Sequence, residues 1–108
     1  MQMAWVVLGM AVVTEICWAL SIKWAATQAT WSAASVPIVL NFGNMGLLGF
    51  AMRTLPAGTA YAVWTGLGAV GVAVMGSVLL GEKLNAAQFG FMALIITGVV
   101  GTKLFATT

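Results

Sequence analysis

The sequence predicts an all-α membrane protein with four transmembrane helices per subunit, on three observations. Hydrophobic residues make up 62% of the 108 and charged residues only 6%, against roughly 25% charged in a soluble domain. The six charges, Glu15, Lys23, Arg53, Glu82, Lys83 and Lys103, leave charge-free stretches at 1–14, 24–52, 54–81 and 84–102. A spanning helix needs about 20 mostly apolar residues, so four spans use about 80 of them. Only short connections remain, with no room for a soluble domain, and the whole chain, 1–108, reads as one four-helix transmembrane domain without a sequence repeat.

The first helix is placed at about 3–22, the second at 33–52, the third at 57–80 and the fourth at 86–104, each on an unbroken apolar pattern. After Lys23, the polar cluster Thr27-Gln28-Ala29-Thr30 with Trp31-Ser32 marks the first loop, and Pro37 is expected in the opening turn of the second helix. The run from Arg53 to Gly58, through Pro56, marks the second loop. Gly81-Glu82-Lys83-Leu84-Asn85 marks the third, with Asn85 as N-cap of the last helix. The start, Met1-Gln2-Met3, lacks a basic n-region and the apolar run contains Glu15, so it reads as a retained span rather than a signal peptide.

Composition removes several classes of function. With no His, no Asp and one Cys, the chain has no means to build a metal cluster, a Ser-His-Asp triad or its own disulfide. That argues against an enzyme, and no cofactor or metal is expected. The net charge of +2 comes from four separated cations, which form no basic patch for nucleic acid.

Lys and Arg in short loops set membrane orientation. Four spans put Arg53 and Lys103 on one side and Lys23 and Lys83 on the other, a count of two against two. Either the chain inserts both ways, giving an antiparallel dual-topology homodimer, or four charges are too few to decide. A thin bundle of four helices also lacks walls to shield a polar pathway from lipid, which two copies would supply. The fourth helix offers Gly90, Ala93, Thr97, Gly98 and Gly101 for close helix contact, although glycine is common in membrane helices in any case.

Glu15 is the residue to explain. It lies about twelve residues into a span of about twenty, where insertion scales put a charge at about 2.5–3.5 kcal/mol. Glu has too short a stem to reach the interface, and intramembrane ionisable groups mark ion or proton paths. A proton and a cation competing for one carboxylate are the minimum for an antiporter. Glu82, beside Lys83 in a loop, reads as a solvated pair.

Trp18 stands at i+3 from Glu15, where its indole N–H could donate to the carboxylate. Tyr61 and Trp64 are i and i+3 on the third helix, with Thr65 at i+4. Trp5, Trp24 and Trp31 fall near the span ends and read as interfacial belt residues. Trp18 and Trp64 lie deeper and read as polar handles.

Two segments resemble the small multidrug resistance family. They are Glu15-Ile16-Cys17-Trp18-Ala19, followed by Lys23, and the run Leu55-Pro56-Ala57-Gly58-Thr59-Ala60-Tyr61-Ala62-Val63-Trp64-Thr65-Gly66-Leu67-Gly68-Ala69-Val70-Gly71. The likeness extends over essentially the whole chain, and within the family it is greatest to the guanidinium-exporter subtype, where Trp follows the membrane Glu at i+3. The drug-exporting subtype usually has Gly there.

The resemblance implies an antiparallel homodimer in a bacterial inner membrane, proton-coupled exchange, and alternating access of one shared pocket. It assigns substrate and proton binding to Glu15, gating to Tyr61, donors near the carboxylate to Trp18 and Trp64, and a bend in the third helix to Gly66 and Gly68. Lys103 matches a basic residue near the end of the last helix. Two departures stand out. A serine of the second helix that usually bonds the central Glu is replaced by Asn44, which could hold the carboxylate by its NH2 or contact substrate N–H groups by its oxygen. The dimer-contact glycines seven apart are incomplete, since Phe91 precedes Gly98 by seven.

The expectation is a proton-coupled antiporter exporting guanidinium or small substituted guanidinium cations. These ions meet a carboxylate through paired N–H donors and can lie against aromatic faces. The alternatives are an exporter of quaternary ammonium compounds, which needs a roomier pocket, and an accessory subunit that pairs with another family member.

Overall fold

The computed structural model describes residues 2–106, in four helices: α1 (Gln2–Gln28), α2 (Trp31–Ala51), α3 (Ala57–Leu80) and α4 (Ala86–Leu104). Each is long and apolar enough to cross a bilayer. Helix α1 packs along α2 and against α3, while the backbone of α4 approaches α3 alone. The result is a slab of 44 × 35 × 17 Å, thin beside a single helix diameter of about 10–12 Å.

The tightest packing lies where the start of α1, the end of α2 and the start of α3 converge. Ala4, Val7, Leu8, Ala51, Leu55, Ala60 and Val63 are buried there as one cluster. Alanines permit it, because Ala51 and Ala60 are fully buried and a methyl side chain lets helix backbones approach closely without a hydrophobic driving force. Apolar side chains such as Val39, Phe42, Val78 and Leu94 face outward, as expected where lipid or a second copy is the solvent. No residue of α4 is buried.

The first connection differs from the sequence expectation. Helix α1 continues past residue 22 to Gln28, because Trp24-Ala25-Ala26-Thr27-Gln28 contains no breaker and Thr27 Oγ1 donates to the Trp24 carbonyl at 2.7 Å. The connection shrinks to Ala29, with φ 55°, and Thr30, whose hydroxyl caps α2 by accepting from the Ala33 amide at 3.1 Å. At 1.5 Å per residue the 27 residues of α1 span about 40 Å, so its end projects beyond a hydrocarbon core of about 30 Å. Because α2 starts at Trp31, Pro37 falls in its second turn rather than the first, where the missing N–H leaves the Ala33 carbonyl without its i+4 donor.

The third connection is built from two caps. Gly81 takes the left-handed conformation at φ 69°, and both its own amide and the following one, of Glu82 at 3.3 Å, turn back to the Gly76 carbonyl, so a left-handed glycine closes the helix. Asn85 and Gln88 then form a reciprocal capping box, each bond 2.9 Å. The closure turns Glu82 back over Gly76, so its carboxylate pairs with Lys23 at the end of α1 rather than with Lys83. Both side chains are about half exposed, and such a pair contributes at most about 1 kcal/mol.

Gly81→Ala puts a Cβ in a left-handed position and is expected to lower stability by about 1–2 kcal/mol. Gly81→Asn should recover part of that loss, because Asn tolerates the conformation. Unfolding followed by circular dichroism in detergent checks both.

Candidate functional site

Glu15 is the fourteenth residue of the 27 in α1, at the helix midpoint. Three helices converge on it. Helix α2 supplies Asn44, 2% exposed, whose Nδ2 donates to Glu15 Oε1 at 2.8 Å. Helix α3 supplies Trp64, whose Nε1 donates to Asn44 Oδ1 at 3.1 Å. The order Trp64→Asn44→Glu15 follows from the donors available. An indole only donates and a carboxylate only accepts, so an amide between them must turn its oxygen to the one and its NH2 to the other.

The same face of α3 makes room for the carboxylate. Gly68 is one turn beyond Trp64, and a Cβ there would stand 2.9 Å from Glu15 Cγ. Tyr61, one turn before Trp64, lies with its ring centroid 5.4 Å from the Trp64 ring at 44° and is 54% exposed. Thus Tyr61, Trp64 and Gly68 at i, i+3 and i+7 form one stripe beside Glu15 and Asn44.

Two of the expected residues stand apart from that cluster. Trp18 lines a cleft between α1 and α2 with Ile22, Pro37, Ile38, Asn41 and Phe42, and among the described residues its indole makes no hydrogen bond to Glu15. The antiparallel course of α1 and α2 explains this: Glu15 is level with Asn44, while Trp18 is level with Asn41, one turn nearer the connection. Gly66 faces α4, where a Cβ would meet Val99 at 2.8 Å and Ile95 at 3.2 Å. Helix α3 is continuous through both glycines.

Electrostatically, Glu15 has no resident counter-ion, since the ion pair among the described residues is Lys23 with Glu82. No group of three His, Cys, Asp or Glu able to hold a metal occurs among the described residues. Glu15 is half-buried, with Oε1 engaged by Asn44. The arrangement can therefore accept a proton, or take a small cation with N–H donors onto a carboxylate already oriented by an amide. Sequence reasoning missed the contact of Gly68 with Glu15. The spacing from Trp64 to Gly68 is its only trace, visible once Trp64 is known to face the carboxylate.

Gly68→Ala is expected to push the Glu15 side chain out of register, a strain of about 1–3 kcal/mol. That strain is read as a lowered midpoint of thermal unfolding in detergent.

A family profile described as "Small Multidrug Resistance protein" matches residues 3–95. The chain is 43% identical over 102 residues to a protein named "Guanidinium exporter" from Yersinia pseudotuberculosis serotype I, covering 94% of this chain and 98% of that one. It is 42% identical to the protein of that name from Escherichia coli strain K12, covering 94% and 97%. It is 41% identical over 104 residues to the one from Salmonella typhimurium, covering 96% and 99%. With a profile match over most of its length and relatives aligned nearly end to end, this four-helix, multi-pass bacterial membrane protein belongs to the small multidrug resistance family.

Proposed function

We propose that the protein exports guanidinium, or small substituted guanidinium cations, in exchange for protons across the bacterial inner membrane. The observation that carries this reading is an oriented, half-buried carboxylate at the midpoint of a membrane helix with no cation of its own. Guanidinium is planar, stays charged at any working pH, and presents paired N–H groups to a carboxylate. A proton on Glu15 removes the charge that holds the ion. Binding of the two is then mutually exclusive at one site, and a conformational change that carries either, but not the empty site, yields exchange.

The reading includes a second copy in opposite orientation. A slab 17 Å thick leaves Glu15 part-exposed on a surface that would otherwise meet lipid, where an ionised group is costly. On α4, Gly90, Gly98 and Gly101 have nothing within 4 Å of a built Cβ, so these small residues are unused within the subunit and open to close approach by another helix. Tyr61, Trp64 and Trp18 line the approach to the carboxylate, and Gly66 and Gly68 are where α3 bends as the two subunits exchange shapes. The names of the relatives support guanidinium as the substrate; the arrangement of Glu15 and the balanced loop charges support proton coupling and the antiparallel pair.

Glu15→Gln keeps the shape and removes the charge, so it is expected to abolish guanidinium binding and proton-driven uptake in proteoliposomes while the dimer persists on size exclusion. In the wild type, guanidinium binding should weaken as the proton concentration rises, because the two cations compete for one carboxylate. Retained pH-driven uptake in the variant would remove Glu15 from the mechanism.

Orientation provides a separate test. With two basic residues on each side, a C-terminal reporter should be found on both faces of the inner membrane, and two added Lys residues on one face should drive it to a single orientation. A one-sided wild-type reporter would rule out dual insertion.

A further inference from the structure

Asn41 is the eleventh of the 21 residues of α2, at the middle of its span, and nothing in the subunit uses its amide fully. Its contact with hydrogen-bond geometry is Nδ2 to the Met45 thioether at 3.6 Å, a weak acceptor. Among the described residues Oδ1 receives no donor, and no bond runs from Asn41 to α1. An amide carbonyl at that depth in a membrane helix is unfavourable without a donor. A packing role would be served better by leucine.

The position of that oxygen gives it a use. Asn41 lines a cleft of about 360 Å³ between α1 and α2, walled by Trp18, Ile22, Pro37, Ile38 and Phe42. Asn41 and Asn44 are i and i+3 on α2, and Trp18 and Glu15 are i+3 and i on α1, so the cleft is the next layer of the same seam that holds the carboxylate. It is apolar apart from the Asn41 amide and the Trp18 indole. A guanidinium that presents one edge to Glu15 still has N–H groups on the nitrogen turned away, and these need acceptors once they leave water. Trp18 supplies an aromatic ring to a delocalised cation, and Asn41 supplies the oxygen.

We propose that Asn41 Oδ1 is a second substrate acceptor, taking an N–H from the nitrogen of guanidinium that faces away from Glu15 and thereby favouring N–H-rich cations over alkylated ones. This inference rests on guanidinium transport as the function. It differs from the role of Asn44, whose oxygen is already taken by Trp64 and whose NH2 is directed at the carboxylate. Asn41 has no such internal duty, and its selectivity acts on the far side of the ion.

The test compares guanidinium with N,N-dimethylguanidinium, which keeps the two amino groups that face a carboxylate and loses every N–H on its far nitrogen. Transport currents are recorded in proteoliposomes of the wild type, Asn41→Leu and Asn41→Gln, after size exclusion has verified each dimer. Asn41→Leu should raise KM for guanidinium by about tenfold, the effect of one hydrogen bond lost, and change KM for the dimethyl cation by less than about twofold. Asn41→Gln retains an acceptor and should recover most of the preference. Equal shifts for both cations, no shift for either, or loss of the dimer with both currents would overturn the proposal and leave guanidinium transport standing. Absence of any wild-type guanidinium current would instead remove the function itself, and this subsite with it.

Discussion

A carboxylate held at the midpoint of a membrane helix without a cation beside it is the constraint on which the rest of this small protein depends. Bilayer interior offers no water to solvate Glu15, so the fold must supply its partners or leave them to be supplied by cargo. One partner is built in, the Asn44 amide on Glu15 Oε1, and Trp64 locks that amide from behind. The chain of donors is complete without using any positive charge. What it leaves is an oriented carboxylate with no cation beside it among the described residues, the feature on which the proposed exchange of a proton for a cation rests.

The sparse packing follows from the same constraint. Buried alanines draw the ends of α1, α2 and α3 together, and Gly68 gives way beside Glu15, so the site is framed by backbone as much as by side chains. Elsewhere the helices remain loosely associated, with α4 touching little but α3. Under the proposed function a subunit this flat, 17 Å thick, holds half of a pathway, and an identical subunit closes the other half without additional sequence, in keeping with basic loop residues that favour neither orientation.

The architecture was legible in the sequence because membrane helices are specified by the spacing of a few charges, a signal that survives without any tertiary information. Glu15 stood out for the same reason, as the one acid deep within a span. Asn44 was visible as a polar residue, but its two ends were not distinguishable until a donor-only indole and an acceptor-only carboxylate were seen on either side of it. Trp18 illustrates the limit of helical periodicity: i+3 places it on nearly the face of Glu15, yet the neighbouring helix at that level presents Asn41, so its surroundings differ. The length of α1 was underestimated because Thr and Gln in a polar run were read as loop, whereas Thr27 bonds its own helix. Pairing of Glu82 with Lys23 over its sequence neighbour Lys83 depended on the turn at Gly81, whose backbone conformation no local charge pattern reports.

The central claim is that guanidinium and a proton compete for Glu15, and proton release on binding tests it most directly. Adding guanidinium to the purified dimer in weakly buffered solution should release protons in proportion to the fraction of Glu15 protonated beforehand. The release should approach one per bound cation at low pH, vanish at high pH, and be absent in Glu15→Gln. Saturable guanidinium binding that releases no protons at any pH would contradict the account.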